Sequence, residues 1–175
     1  MLFRSERVLQ RCRTYKLRLN PRKYAFGVSS GQFLGFLVHQ HGIQVDPAKI
    51  KAIRELSPPT SLRQLQSLMG RLNYIRRFIP DLSTKVLPMT KLLQKSSRFE
   101  WNDDCHAAFE KLKEDLLKSP TLLSPRPGSP LILYISHNEF ALSAYLAQAD
   151  ELGRECPIYY LSRVMNNAEK NYSRV

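Results

Sequence analysis

Hydrophobic residues between Ser61 and Pro80 recur at the spacing of one amphipathic helix. Stepping about 100° per residue places the apolar side chains in a single arc. That arc predicts a buried face made of Leu62, Leu65, Leu68, Met69, Leu72, Ile75 and Ile79. The opposite arc holds Arg63, Gln66, Ser67, Gly70, Tyr74, Arg77 and Phe78. Ser61 and Gln64 have the spacing of a capping box, and Pro80 is expected to end the helix.

The first third of the chain predicts a helix followed by strands. Residues 3–17 have helical periodicity, and the inward residues would be Phe3, Val8, Leu9 and Cys12. A short strand is expected at 24–26. Residues 31–46 predict a β-hairpin that turns at His39–Gly42, and Gly35 inside its first strand indicates a bulge or a close approach of another backbone. Asp46-Pro47 is typical of a helix start.

The rest of the chain predicts more helices and then a sheet. Helices are expected over 47–56, over 82–94 and after Asn102, with Cys105, Phe109, Leu112 and Leu116 inward in the last of these. Residues 95–98 are expected to form a basic loop. The stretch 119–130 is rich in proline and serine, which favours a domain boundary. Strands follow at 131–136, 140–148 and 156–162, and a helix begins near Ala168. The predicted class is therefore α+β.

Charge is unevenly distributed along the 175 residues, whose formal net charge is +12. Residues 1–60 carry 11 Lys/Arg against 3 Asp/Glu, whereas residues 119–175 carry 5 of each. A positive field over the first two thirds favours a polynucleotide, although an acidic protein or a membrane surface would also attract it. No apolar run approaches the length of a membrane span.

The face centred on Gly70 has two interpretations. A glycine inside a helix costs roughly 1 kcal/mol relative to alanine, and its missing side chain allows another backbone to approach closely. A nucleic-acid strand could lie over Gly70, with Arg63 and Arg77 on phosphates and Tyr74 on a sugar or base. Alternatively, the face is simply solvated and tolerates the glycine.

The metal-ligating residue types form no convincing site. Cys12, Cys105 and Cys156 are far apart in the sequence, so we expect reduced thiols in an intracellular protein, in an undetermined compartment. His39 and His41 lack further zinc ligands. The adjacent acids Asp103 and Asp104 fit the first turn of a helix without any metal.

The chain resembles a known family in a series of ordered motifs. LRLNPRKYAF, FLGFLVHQHGI, VDPAKIKAI, SLRQLQSLMGRLNYIRRFIPDL, FEWNDDCHAAFEKLK and PIYYLSR follow one another as in the Pol polyproteins of gypsy-type LTR retrotransposons. The resemblance implies the end of a reverse-transcriptase palm (1–46), thumb-like helices (47–94), a connection (95–128) and a truncated RNase H-like domain (129–175). Leu34-Gly35-Phe36 would match the primer grip, and the helix with Gly70 would pack on template–primer. The resemblance favours the nucleic-acid interpretation of that helix, with an RNA–DNA hybrid or a DNA duplex as partner.

The resemblance supplies no active site. The family holds two Mg²⁺ ions at a YxDD turn, and this sequence contains none. Where the family has the first RNase H aspartate, this chain has Ser136. We therefore expect a fragment that binds no metal cofactor and is inactive alone. The alternatives are an enzyme completed by the missing palm in trans and a relic that binds other proteins.

Overall fold

A computed structural model of the chain describes residues 2–20, 23, 26–94, 99–118 and 120–171. It has mixed helical and β architecture, as the predicted class requires. The α-helices are α1 Leu2–Thr14, α2 Pro47–Arg54, α3 Leu62–Ile75, α4 Leu82–Lys85, α5 Leu87–Lys91 and α6 Asp103–Leu117. The strands are β1 Ser30–Phe33, β2 Phe36–His39, β3 Gly42–Val45, β4 Ile132–His137, β5 Ala141–Ala149 and β6 Glu155–Val164. Single 3₁₀ turns occupy Arg76–Phe78 and Glu169–Asn171.

Helix α1 ends three residues before its predicted end and exposes two of its apolar side chains, Val8 and Leu9. Val8 is 61% exposed and Leu9 is 40% exposed, so the prediction that both face inward is wrong. The reason is that the main apolar cluster begins only at Val45. Cys12 is half-buried. The predicted roles of the Phe3 side chain, of strand 24–26 at Tyr24 and Ala25, and of the loop 95–98 lie outside the described residues.

The predicted hairpin is a three-stranded antiparallel meander, β1-β2-β3. The apolar run Phe33–Val38 is not one strand, because Leu34 (φ +49°) and Gly35 (φ +72°) form a tight turn between β1 and β2. Positive φ at both central residues is the requirement of a type I′ turn. Gly35 therefore lies in a turn and not in a bulge. The second turn falls at Gln40-His41, within the predicted region.

Side chains cap α2, α3 and α6 at the predicted residues. The Asp46 carboxylate accepts a hydrogen bond from the Ala48 amide at 2.9 Å. Ser61 Oγ accepts one from the Gln64 amide at 3.4 Å, and Asn102 Oδ1 accepts one from the Cys105 amide at 3.0 Å. The reciprocal half of the capping box is shifted by one residue, because Gln64 Oε1 accepts from the Thr60 amide.

The α-helix predicted to run to Pro80 ends at Ile75 and continues as a 3₁₀ turn. The 3₁₀ turn that follows has about three residues per turn, and this tighter winding rotates Phe78 toward the core. Phe78 is fully buried, so its predicted position on the outer arc is wrong. Leu62 is also misplaced by the prediction: it is 42% exposed, since the buried residues of α3 begin at Leu65.

The single helix predicted over 82–94 is two short helices, α4 and α5, that meet at Val86. Pro88 has no N–H to donate to the carbonyl of Thr84, four residues earlier, so α4 cannot continue through it, which explains the break. The inward residues predicted for α6 (Cys105, Phe109, Leu112 and Leu116) are all buried, which confirms that part of the pattern.

One hydrophobic core joins residues 45–122, and the second sheet packs against it through Tyr160. The stretch predicted as a domain boundary is hydrogen-bonded to both sheets. Leu122 exchanges two backbone hydrogen bonds with Ile43 (2.8 and 2.9 Å), and the Leu123 amide donates to the Pro157 carbonyl at 2.8 Å. The helical region and the two sheets therefore pack as neighbours.

The second sheet is antiparallel in the order β4-β5-β6. The three strands lie where the sequence predicts them, and β6 is longer by a few residues. After β6, Asn166 Oδ1 accepts from the Glu169 amide and the Glu169 carboxylate accepts from the Asn166 amide, which starts a helical turn close to the predicted Ala168. Leu133 and Ile135 of β4 are more than half exposed.

Candidate nucleic-acid interface

Helices α2 and α3 enclose an open groove of ≈ 480 Å³. From α2 it is lined by Lys49, Ala52 and Ile53, and from α3 by Ser67, Gly70, Arg71, Tyr74 and Ile75. Two cations, a hydroxyl and an aromatic ring thus surround a floor formed by a glycine. Such a lining suits a sugar–phosphate backbone, which needs donors for its phosphates and a flat surface for its sugars.

Gly70 has no packing reason to be a glycine. It is exposed in the middle of α3, and a Cβ built on it would meet no atom within 4 Å. The cost of roughly 1 kcal/mol relative to alanine is therefore not offset by any close contact within the described chain. What the missing side chain does allow is a close approach from outside the molecule.

Tyr74 stands at the rim of the groove in a fixed orientation. Its ring stacks on Phe36 with centroids 4.8 Å apart and planes 5° from parallel. On the groove side, Lys49 Nζ lies 4.6 Å from the centroid of the same ring. A cation–π contact and an aromatic stack each contribute about 0.5–1.5 kcal/mol, so the ring is held before any ligand arrives.

The turn between β1 and β2 packs against this rim. A Cβ at Gly35 would clash with Lys49 Cε and lie 2.6 Å from the Tyr74 hydroxyl oxygen, so any larger residue would push both side chains aside in addition to straining the backbone at φ +72°. Leu34 is 72% exposed at the tip of the turn. Phe36 anchors the turn, because it also stacks on the buried Phe78 at 5.5 Å and lies 5.3 Å from the Arg77 guanidinium.

The structure brings together most of the residues that the sequence singled out. Leu34, Gly35, Phe36, Tyr74 and Arg77 form one contiguous group, and Ser67 and Gly70 continue from it along α3. Arg63 is exposed one turn before Ser67 and does not line the groove.

Sequence reasoning missed the two charged residues of the groove, Lys49 and Arg71. Lys49 lies on α2, outside the helix that the sequence pattern singled out. Arg71 was outside the arc chosen around Gly70, although its spacing of four residues from Ser67 and three from Tyr74 would have placed it beside them. Ser67 and Arg71 also line a second groove of ≈ 380 Å³, together with Thr60, Gln64 and Phe109 among others. The polar surface therefore extends along α3 toward its N-terminus.

The candidate metal ligands do not converge. Within the described ranges, no group of three or more His, Cys, Asp or Glu side chains is placed to hold a metal ion. The rings of His39 and His41 lie 5.9 Å apart, and His39 Nδ1 accepts a hydrogen bond from the His41 amide. Cys12, Cys105 and Cys156 form no disulfide, and burial raises the pKa of the Cys105 thiol.

In the part of the chain that the structure describes, no helix is both long and apolar enough to cross a bilayer.

Comparison with known proteins identifies the relatives. Residues 101–175 match the family model of the RNase H-like domain found in reverse transcriptase. The Retrovirus-related Pol polyprotein from transposon opus of Drosophila melanogaster is 34% identical over 170 residues, covering 91% of this chain and 17% of that protein. The Transposon Tf2-3 polyprotein of Schizosaccharomyces pombe is 28% identical, covering 95% of this chain and 12% of that protein. The chain is a relative of retrotransposon Pol polyproteins. A gypsy-type origin is consistent with these relatives.

Solved structures share the fold of this chain. The foamy viral protease-reverse transcriptase in complex with dsDNA superposes on 87% of this chain with a TM-score of 0.72 and 24% identity, and the match covers 32% of the viral chain. The same viral protein in complex with an RNA/DNA hybrid gives a TM-score of 0.71 and 25% identity, with 87% of this chain and 21% of the viral chain covered.

The relationship to Pol polyproteins draws attention to Ser136, because we expect it at the position of the first RNase H aspartate. It lies exposed on β4, directly opposite Ser143 of β5. The carboxylate of Asp81 is bonded to Ser143, but it already accepts hydrogen bonds from two hydroxyl groups, those of Ser143 and Thr84. A neutral hydroxyl at position 136 does not supply the anionic oxygen that a Mg²⁺ site needs.

Proposed function

We propose that this chain is the template–primer-binding part of a retrotransposon reverse transcriptase and that it binds an RNA–DNA hybrid or a DNA duplex along α3. Because the chain spans only 17% and 12% of the two Pol relatives, the activity of a whole polyprotein is not assigned to it. The viral proteins of similar fold were solved with dsDNA and with an RNA/DNA hybrid, which supports the choice of partner.

The observation that carries the proposal is the groove floored by Gly70. The glycine is exposed and fills no internal need, while Lys49, Arg71 and Tyr74 surround it. A phosphodiester backbone can approach a bare helix surface more closely than one covered by side chains. The two cations then neutralise phosphates, and Tyr74, whose ring is covered by Phe36 and Lys49, offers its hydroxyl to a sugar.

We further propose that the chain alone neither polymerises nor hydrolyses nucleic acid. The sequence has no YxDD turn, and the RNase H ligand position holds Ser136. Two-metal chemistry requires carboxylates that bridge the ions, and the residues present do not fit that requirement. Magnesium would then belong to the intact family and not to this chain.

Binding of a fluorescent RNA–DNA hybrid to three single variants tests the interface. Lys49→Ala, Arg71→Ala and Arg77→Ala should each weaken binding across unrelated sequences, since phosphate contacts carry no sequence information. Lys111→Gln is the matched control, because it removes a cation from an exposed site on α6 that lines neither groove. Equal affinities for all four variants and the wild type would refute the proposed interface.

Primer extension and hybrid cleavage with Mg²⁺ test the proposed inactivity. The purified chain should incorporate no nucleotide and cleave no strand. Incorporation by the chain alone would contradict the proposal. Activity that appears only when a separately expressed palm segment is added would favour completion in trans.

The N-terminal region favours a second role, that of docking a further polypeptide. Large apolar side chains are exposed there on α1, on β1 and in the segments around them: Val8, Leu9, Tyr15, Leu17, Phe26, Val28, Phe33 and Leu34. We propose that the palm portion of a Pol polypeptide covers these side chains, since so many exposed large apolar side chains in one region of the chain favour an interface. Co-purification with a separately expressed palm, lost in Val8→Asp and Leu17→Asp, would support it. Unchanged co-purification of both variants would refute it.

A further inference from the structure

The second sheet carries a row of three serines on the face that it turns toward the helical part of the chain. Ser136, Ser143 and Ser162 are directly opposite one another on β4, β5 and β6. Residues opposite each other on neighbouring strands share a face, and so do residues two apart on one strand. Tyr160 is two residues before Ser162, and it packs against the helical core. The serine row therefore lies on the docked face.

Asp81 and Ser83 connect this face to the end of the α3 segment. Asp81 Oδ1 accepts hydrogen bonds from Ser143 Oγ at 2.6 Å and from Thr84 Oγ at 2.9 Å. The Ser83 amide donates to Ser162 Oγ at 2.9 Å. Asp81 adopts φ +49°, a left-handed conformation that aspartate tolerates better than most residues. That backbone geometry sits where the 3₁₀ turn passes into α4.

The segment between the 3₁₀ turn and α4 also supports the groove between α2 and α3. Asp81 follows the buried Phe78 by three residues, and β6 contacts both the 3₁₀ turn and α4. Phe78 stacks on Phe36, and Phe36 stacks on Tyr74 at the groove rim. A sheet that is held firmly against the 3₁₀ turn thus holds the aromatic column that fixes Tyr74.

We propose that Asp81 is a positioning residue that latches the RNase H-like sheet onto the end of the thumb-like helix and so keeps Tyr74 in place for nucleic-acid binding. The inference rests on the proposed function for its binding consequence, but the latch itself does not. In this chain, the sheet face that bears position 136 serves to dock the helices.

Two substitutions at Asp81 separate its hydrogen bonds from its backbone conformation. Asp81→Gly keeps access to positive φ and removes the acceptor, whereas Asp81→Asn keeps an acceptor oxygen and tolerates the same conformation. Ser143→Ala removes the donor on the sheet side and provides a second variant if Asp81→Gly does not fold. Hydrogen exchange of the β5 and β6 amides measures how firmly the sheet is held against the helices. Affinity for the RNA–DNA hybrid over a salt series measures whether this contact affects binding.

For Asp81→Gly and Ser143→Ala, β5 and β6 amides should exchange about tenfold faster, as expected when a hydrogen bond to a charged group is lost, while α6 amides are unchanged. Hybrid affinity should fall about fivefold with the same salt slope, because no phosphate contact is removed. Asp81→Asn keeps an acceptor oxygen but loses the charge, so both quantities should lie between those of Asp81→Gly and the wild type.

Three results would overturn the inference. Unchanged exchange in β5 and β6 in both Asp81→Gly and Ser143→Ala removes the latch. If the amides exchange faster but hybrid affinity stays at the wild-type value, the sheet contact does not affect the groove. If Asp81→Asn behaves like Asp81→Gly in both quantities, the acceptor oxygen at position 81 is unimportant. If the wild-type chain itself does not bind the hybrid, the proposed function fails, and the exchange measurements still decide whether Asp81 latches the sheet.

Discussion

Two glycines next to the groove, Gly70 and Gly35, are there for different physical reasons. Gly70 has ordinary helical geometry and open space around it, whereas Gly35 has φ +72° and lies against Tyr74. The first glycine should therefore matter to a ligand and the second to the fold. Mutation can separate these two requirements.

Replacing Gly70 should stabilise the protein and weaken binding at the same time. Gly70→Ala should raise the free energy of unfolding by about 0.5–1 kcal/mol, because alanine loses less backbone entropy in a helix. Hybrid affinity should fall in Gly70→Ala and fall further in Gly70→Leu. Urea unfolding and fluorescence anisotropy measure the two effects. Lys111→Gln, exposed on α6 and lining neither groove, is the control for affinity. Wild-type affinity of Gly70→Leu would contradict the proposed contact.

Replacing Gly35 should destabilise the protein through both strain and a clash. Gly35→Ala should lower the free energy of unfolding by about 1–3 kcal/mol in urea titrations. Gly27→Ala is a matched control, because Gly27 has a similar φ of +69° but a Cβ added there would meet no atom within 4 Å. The control should show only the cost of backbone strain. Equal losses in the two variants would mean that the contact with Tyr74 is unimportant.

Glu169 gives the turn after β6 a defined pH dependence. Hydrogen bonds from the Arg163 side chain, at 2.7 and 2.6 Å, and from the Asn166 amide lower the pKa of its carboxyl from 4.5 to about 2. The stabilisation of this turn is thus fully present above about pH 4.5 and is lost as the pH falls toward 2. Carbon-13 NMR titration should place the Glu169 midpoint near 2 in the wild type and closer to 4.5 in Arg163→Ala. An unchanged midpoint would contradict this assignment.

At the scale of elements, Gln148 shows how the second sheet holds the proline-rich stretch. Its side chain is only 5% exposed. The amide oxygen accepts from the Arg126 amide at 2.8 Å, and the amide nitrogen donates to the carbonyls of Arg126 and Ser129 at 3.1 and 3.0 Å. A buried polar side chain with three hydrogen bonds fixes residues 126–129 against β5.

Gln148→Leu should release this stretch. It leaves the Arg126 amide and two carbonyls without their partners, so the free energy of unfolding should fall by about 1–3 kcal/mol in urea. The Arg126 amide should also lose its protection from hydrogen exchange, whereas Gln40→Leu at an exposed turn should change neither quantity. Retained protection at Arg126 in the Gln148 variant would show that the clamp is unnecessary.

The sequence predicted elements well where a cap and a full helical repeat agreed, as they do from Asn102 to Leu116. It failed where one residue changed the periodicity. The 3₁₀ turn after Ile75 moved Phe78 inward, and the positive φ of Leu34 divided an apolar run into two strands. Lys49 could not be assigned to the site, because its distance from Tyr74 depends on how α2 packs against α3. That packing is set by tertiary contacts, which no local pattern records.

At the scale of the whole molecule, the basic first two thirds of the chain and the electrically balanced second sheet pack against each other. The core from Val45 to Leu122 is shared by the helices and extended by Tyr160 of the second sheet. The positive charge lies in the first two thirds of the chain, and the groove belongs to that part. The second sheet would then act as support for the groove, and α3 would make the contacts with nucleic acid.

The salt dependence of hybrid binding tests this account most directly. Affinity for an RNA–DNA hybrid should fall steeply and linearly in log–log form as salt rises, because each neutralised phosphate releases counterions. The slope should decrease by about one in Arg71→Ala and stay at the wild-type value in Lys111→Gln. A flat salt response of the wild-type chain, or equal slopes for the two variants, would contradict the assignment of the α3 groove to nucleic acid.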